Sequence, residues 1–244
     1  MNKTNIAWAN MTWNPITGCT NCYAKAVHER FYSTPFSEIV LHKDRLDEPL
    51  KRKKPTKIFI GSMTDLFQEG VTNEMLDAIF RTIIKAKQHT FMILTKRPKQ
   101  MRGYLKDRYN LDGDFNGEVA DALIDGVIPN LWVGVTAENQ HAVDERINFL
   151  KDTPASVRFV SVEPMVGGVA FGESISNLDW VIVGGESGAL SRAREMQPYW
   201  VEDVFAECRT SGTPFFFKQW GAHVPDTAGA YQFETVQEFP ANRT

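Results

Sequence analysis

KIFIGSMTDLFQEGVTNEMLDAIFRTIIKAKQHTFMILTKRP, Lys57–Pro98, holds one complete strand–helix–strand pattern. KIFIG at Lys57–Gly61 and FMILT at Phe91–Thr95 are short, nearly continuous apolar runs without alternation. Parallel strands read this way because both of their faces are buried. Between the runs, NEMLDAIFRTIIKA places Met75, Leu76, Ile79, Phe80, Ile83 and Ile84 on one broad stripe at helical spacing. Strand, amphipathic helix and second buried strand together predict a βαβ unit and a parallel sheet.

The same pattern continues outward. LWVGV at Leu131–Val135, RFVSV at Arg158–Val162, DWVIVGG at Asp179–Gly185 and PFFFK at Pro214–Lys218 are further buried runs. The segment AVDERINFLKD carries Val143, Ile147 and Leu150 at i, i+4 and i+7, and WVEDVFAEC carries Val201, Val204, Phe205 and Cys208 likewise. NIAWANMTW, ahead of the first run, supplies a seventh, edge strand. Repeated βα units of this number make either an open doubly wound sheet or a complete or partial (β/α) barrel. The expected architecture is α/β: a partial or near-complete TIM-like (β/α) barrel of six to seven parallel strands. It forms one domain over residues 1–244, with an irregular tail from about residue 222. KRKK at Lys51–Lys54 reads as a solvated loop.

A hydrophobic fraction of 43% supports a sizeable core, and a net charge of −3 gives no global attraction to nucleic acid or anionic membrane. No apolar run is long enough to span a bilayer, and MNKTNIAWANMTWNP lacks the apolar middle of a signal peptide. A cytoplasmic location is expected. In that compartment a close cysteine pair is more often a ligand or catalyst than a disulfide.

In α/β folds ligands bind at the carboxyl ends of the strands. Reading just past each run finds Thr64-Asp65, Lys96-Arg97, Glu138, Glu163, Gly184-Gly185-Glu186 and Lys218. Each of these alone is an ordinary helix cap or rim ion pair. Delivered by successive strands, the four acids and two amines predict a polar, ligand-bearing mouth. Gly184-Gly185 permits close approach of a backbone to a ligand. No phosphate-binding glycine fingerprint is present, which argues against a simple nucleotide hydrolase.

Cys19 and Cys22 stand in TWNPITGCTNCYAKA, Thr12–Ala26, after a Trp-Asn-Pro turn and before a helix-like run, so they lie on the same rim. A redox pair, half of a zinc site and an iron–sulfur loop all use such spacing. Cys208 falls on an apolar helix stripe and reads as a small buried hydrophobe.

Thr12-Trp13-Asn14-Pro15, Gly18-Cys19 and Asn21-Cys22-Tyr23-Ala24 resemble the N-terminal signature of a phage-associated family of largely uncharacterised proteins. That family is itself distantly similar to radical S-adenosylmethionine enzymes of the spore photoproduct lyase branch. SMTDLFQ, ILTKRP, GVTAENQ, SVEPM, VGGESG and FFKQWG match its pattern in order, over nearly the whole chain. The resemblance implies a partial or near-complete (β/α) barrel, a [4Fe–4S] cluster held by three thiolates, and S-adenosylmethionine on the fourth iron. Cys19 and Cys22 are then metal ligands, with Tyr23 packed beside the cluster. Thr64 and Asp65 match a strand end that approaches the cofactor's methionine part. Gly184, Gly185 and Glu186 are further candidates for cofactor binding, and Lys96, Glu138 and Glu163 for catalysis. The chain departs from the pattern by one cysteine, and it is short between Gly18 and Thr20. Either the protein has lost a ligand, or its gene encodes a longer loop at this point.

Three functions follow from this reading. The first is a radical S-adenosylmethionine-type enzyme, supplied by an external electron donor, acting on a nucleic-acid component or other macromolecule. Arg97, Lys99, Arg102 and Lys106 form either a phosphate-binding rim for such a substrate or a solvated helix face. The second is a cluster-free barrel that binds nucleic acid or protein. The third is a hydrolase holding a divalent metal through Asp65, Glu138 and Glu163.

Overall fold

The computed structural model describes residues 1–18, 35, 37–109 and 126–241. Its strands are β1 (Asn2–Lys3), β2 (Met11–Trp13), β3 (Ile16–Thr17), β4 (Val40–Leu41), β5 (Lys57–Ile60), β6 (Thr90–Thr95), β7 (Leu131–Thr136), β8 (Val157–Val162), β9 (Trp180–Gly184) and β10 (Phe215–Gln219). Its helices are α1 (Glu48–Lys51), α2 (Asn73–Lys85), α3 (Pro98–Tyr109), α4 (Gln140–Leu150) and α5 (Pro198–Ser211). All six buried runs are strands, and the three periodic stretches are helices. The class is α/β with mostly parallel strands. The chain divides into two compact units, residues 1–132 with 154–156, and residues 133–153 with 157–244.

In the first unit the strand order is β1-β2-β5-β6. β2 runs parallel to β5, with Trp13 opposite Ile60, and β5 runs parallel to β6, with Ile60 opposite Ile93. All three side chains are buried, so the row is apolar on its inner face. Thr72 caps α2 by accepting from Met75 N, and the helix buries Leu76, Ile79, Phe80, Ile83 and Ile84. Each such side chain contributes about 2 kcal/mol relative to exposure. Met75, at the margin of the predicted stripe, is half-buried. NIAWANMTW yields only a short strand, and it is not at the edge. β1 pairs antiparallel outside β2, while Trp8 turns inward onto Phe59 at 4.8 Å.

In the second unit β8, β9 and β10 run parallel in that order. α4 starts at Asn139, whose side chain accepts from Ala142 N at 3.0 Å, and buries Val143, Ile147 and Leu150. α5 starts with Pro198, suited to a position whose N–H has no helical acceptor, and stops at Gly212 with φ +73°. The C-terminal stretch is not loose. Phe217 N donates to Val236 O at 2.8 Å and Glu238 N to Phe215 O at 3.0 Å, so the tail lies antiparallel along the outer edge of β10. Phe233 anchors it against Phe217 and Trp220 at 5.2 and 5.6 Å. The tail therefore occupies the edge that a barrel-closing strand would need, and in neither unit does the row of strands close on itself.

Candidate functional site

In the first unit the Trp-Asn-Pro turn joins two strand ends. Trp13 is fully buried, and its indole N–H donates to Arg45 O at 2.9 Å. The Asn14 amide donates to Ser62 Oγ at 3.0 Å, and its oxygen accepts from Met63 N at 3.2 Å, tying the end of β2 to the turn after β5. Gly18 follows with φ +100°, and a Cβ there would stand 2.0 Å from Glu38 O, so only glycine fits. The Gly18 carbonyl accepts from Thr64 Oγ1 at 2.5 Å and from Gln68 Nε2 at 2.6 Å, both on buried side chains. Thr64, expected beside a cofactor, thus holds the backbone immediately ahead of Cys19. Cys19, Cys22 and Tyr23 lie outside the described residues.

Asp65 collects four donors. Its Oδ1 accepts from Thr95 Oγ1 at 2.7 Å and Phe67 N at 3.0 Å. Its Oδ2 accepts from Lys96 N and from Arg97 Nη1, each at 3.0 Å. The carboxylate links the ends of β5 and β6 and fixes one corner of the Arg97 guanidinium. The Lys96 side chain is exposed. Beside Arg97 a cavity of about 850 Å³ opens between one face of α3 and the chain from Phe67 to Leu76.

The second unit holds the remaining predicted residues, each with an ionic partner or a close neighbour. Glu138 pairs with Arg146 at 2.8 Å, and the same arginine nitrogen donates to Thr136 O at 2.7 Å. Lys218 Nζ donates to Glu163. The two come from β10 and from just past β8, and meet across the end of β9. There a Cβ on Gly184 would stand 3.3 Å from the Glu163 carboxyl carbon. Glycine keeps that crossing open. At Gly185 the bare face is filled by the protein itself, because a Cβ would lie 1.8 Å from Trp220 O. Among the described residues no three His, Cys, Asp or Glu side chains gather where they could hold a metal.

Glu186 accepts from Arg194 N and Nε, each at 2.8 Å, and from Nη2 at 2.9 Å, closing the loop between them. These bonds to the charged form lower its pKa from the usual 4.5 to about 2. A depressed carboxylate stabilises the fold above its unfolded pKa and loses that contribution as pH falls through the folded value. Between pH 4.5 and about 2 the protein should therefore lose stability, and Glu186→Gln should flatten that part of the profile. Thermal midpoints measured across the window check this. An unchanged slope in the variant would show that the pair does not form.

Arg146, Arg194, Thr95 and Gln68, the partners of these groups, carry no signal of their own in the sequence. Gln68 and Thr95 do fall inside recognisable motifs, at the end of SMTDLFQ and within ILTKRP. Cys208 is fully buried on α5, and burial pushes its thiol up to about 12, so it is the small apolar residue expected.

The family model described as protein of unknown function (DUF5131) matches residues 3–240. The chain is a DUF5131 protein. No curated protein and no solved structure matches it. Among the described residues of this DUF5131 protein, no helix is long and apolar enough to cross a membrane.

Proposed function

We propose that this DUF5131 protein is a cytoplasmic enzyme of the radical S-adenosylmethionine type, built on a partial (β/α) barrel. It takes electrons from an external donor and acts on a nucleic-acid component or another macromolecule. The observation that supports the reading is the pinned carbonyl of Gly18. Two buried side chains from the turn after β5 are committed to fixing the backbone one residue before Cys19. Such anchoring suits a loop whose cysteines must meet a ligand in fixed geometry.

The donor set fits an iron–sulfur cluster only in part. Cys19 and Cys22 would hold two irons. Cys208, buried and with its thiol raised, is no third thiolate. When bound, a cluster with S-adenosylmethionine supplies a 5′-deoxyadenosyl radical. Within each unit the chain's own residues hold polar groups ready for a substrate. In the first unit Asp65 orients Arg97 beside the exposed Lys96, and in the second Glu163 holds Lys218 Nζ at the end of β9. Glu138 is assigned to the same substrate work, held by Arg146.

The missing thiolate favours a second reading, a cluster-free scaffold that binds nucleic acid or protein. Anaerobic reconstitution of the full chain with iron and sulfide separates the two. The radical reading expects bound iron, cluster absorbance and 5′-deoxyadenosine on reduction, all lost in Cys19→Ser and Cys22→Ser. Iron no higher than in the double variant, with no cofactor cleavage, would overturn it.

A further inference from the structure

We propose that the cavity beside α3 is a binding site for an unpaired base of single-stranded nucleic acid. This deepens the proposed function by giving the substrate a place in the first unit, and it rests on that function only for the choice of macromolecule. The cavity, about 850 Å³, lies within the range of small-molecule sites. Its floor is apolar, with Phe67, Leu76 and Tyr104 all buried. Its walls are polar, and their hydrogen-bonding capacity is largely unspent. Arg97 places one N–H on Asp65 and is otherwise without a side-chain hydrogen bond among the described residues. Glu69, Asn73, Gln100 and Asp107 are exposed and make no side-chain hydrogen bond or ion pair among those residues.

A ligand for such a cavity needs apolar faces together with an edge carrying both acceptors, for Arg97, and donors, for the carboxylates. A purely anionic ligand would meet Glu69 and Asp107, and a purely cationic one would meet Arg97. A nucleobase has both kinds of edge on a flat ring. Lys99 and Lys106 are exposed on the neighbouring side of α3, two turns apart or about 10 Å along the axis. They suit phosphates leading to and from the bound base.

Gly103 is the independent observation. It stands inside α3, between buried Met101 and Leu105, and lines the cavity. Glycine is the poorest helix former after proline. Its φ is helical and a Cβ would meet no described atom within 4 Å, so among the described residues neither backbone strain nor packing requires it. A missing side chain on the cavity wall is accounted for by a ligand that passes close to the backbone.

The test is anisotropy of a short fluorescein-labelled single strand of mixed sequence, and of its duplex, on the full chain. The single strand should bind about tenfold tighter than the duplex, because paired bases cannot enter the cavity. Gly103→Ala should raise the melting temperature by roughly 2–4 °C, since helix propensity improves and nothing is displaced. Gly103→Leu should weaken strand binding about tenfold in a protein that melts no lower than wild type, and Lys99→Gln with Lys106→Gln should weaken it and reduce its salt dependence. Equal affinity for duplex, or unchanged binding by Gly103→Leu, overturns the proposal. A drop in melting temperature for Gly103→Ala would show that packing excludes a side chain here, and Gly103 would then not mark a ligand. Repeating the titration on Cys19→Ser/Cys22→Ser keeps the two ideas apart. Strand binding that survives there supports the cavity whatever the iron assay shows, and a cluster without strand binding removes the cavity while leaving the radical reading standing.

Discussion

Gly185→Ala is expected to destabilise the protein by roughly 3 kcal/mol or more, among the larger effects a single methyl can have. The added Cβ would lie 1.8 Å from Trp220 O and 2.5 Å from its carbonyl carbon. Both are backbone atoms, so no side-chain rotation relieves the clash. The approach is locked from both sides. Gly185 N donates to Gln219 O at 2.9 Å, and Ala222 N donates to Glu186 O at 2.8 Å. Gly221, with φ +89°, answers with its own bare face, where a Cβ would stand 2.5 Å from Glu186 O. Neighbouring Gly184 is the control. A Cβ there meets only the flexible end of Glu163 at 3.3 Å, so Gly184→Ala should cost about 1 kcal/mol or less and should mainly loosen the Glu163–Lys218 pair. Urea unfolding of the two variants compares them directly. If Gly185→Ala unfolds at the wild-type midpoint, the ends of β9 and β10 are not in backbone contact in solution.

The glycine pair also shows where the sequence runs out as a guide. A double glycine at a strand end is equally consistent with a ligand passing close and with two strands passing close, and only the path of the β10 turn chooses between them. The strands themselves were legible, because a run such as DWVIVGG buried on both faces carries its own signal. So was Cys208, on a helix stripe with fixed period. The ionic partners were not. Arg146 and Arg194 each stand eight residues beyond the acid they bind, a spacing set by the route of a loop and by no regular period. The tail along β10 was hidden for a similar reason. Its hold on the sheet comes from scattered aromatics, Tyr231 and Phe233 stacking at 5.2 Å, which make no strand-like run. Asp65 in the first unit, and Glu138, Glu163 and Glu186 in the second, do stand just past strand ends, and each is engaged by a partner within its own unit.

Asp65 carries that point furthest, and Asp65→Ala is expected to cost roughly 3 kcal/mol. Hydrogen bonds to a charged group are worth about 1.5–3 kcal/mol each when partly buried, and their losses do not add in full. The carboxylate side chain is 13% exposed, so water replaces little of what is removed. Four donors lose their acceptor together: Thr95 Oγ1, Phe67 N, Lys96 N and Arg97 Nη1. Two of the four are backbone groups, Lys96 N at the turn into α3 and Phe67 N in the turn after β5. The start of that helix should therefore loosen along with the end of β5. Asp65→Asn keeps one acceptor oxygen and turns the other into a donor facing Arg97 or Lys96 N. It should recover only part of the loss, about half. The order wild type, Asn, Ala in denaturant midpoint is the signature of a structural clamp, and it is read without any ligand. Should Asp65→Ala instead match wild type in stability while losing single-strand binding, Asp65 would be a ligand contact, and the four bonds it accepts, one of them from Arg97, would not be what holds the turn.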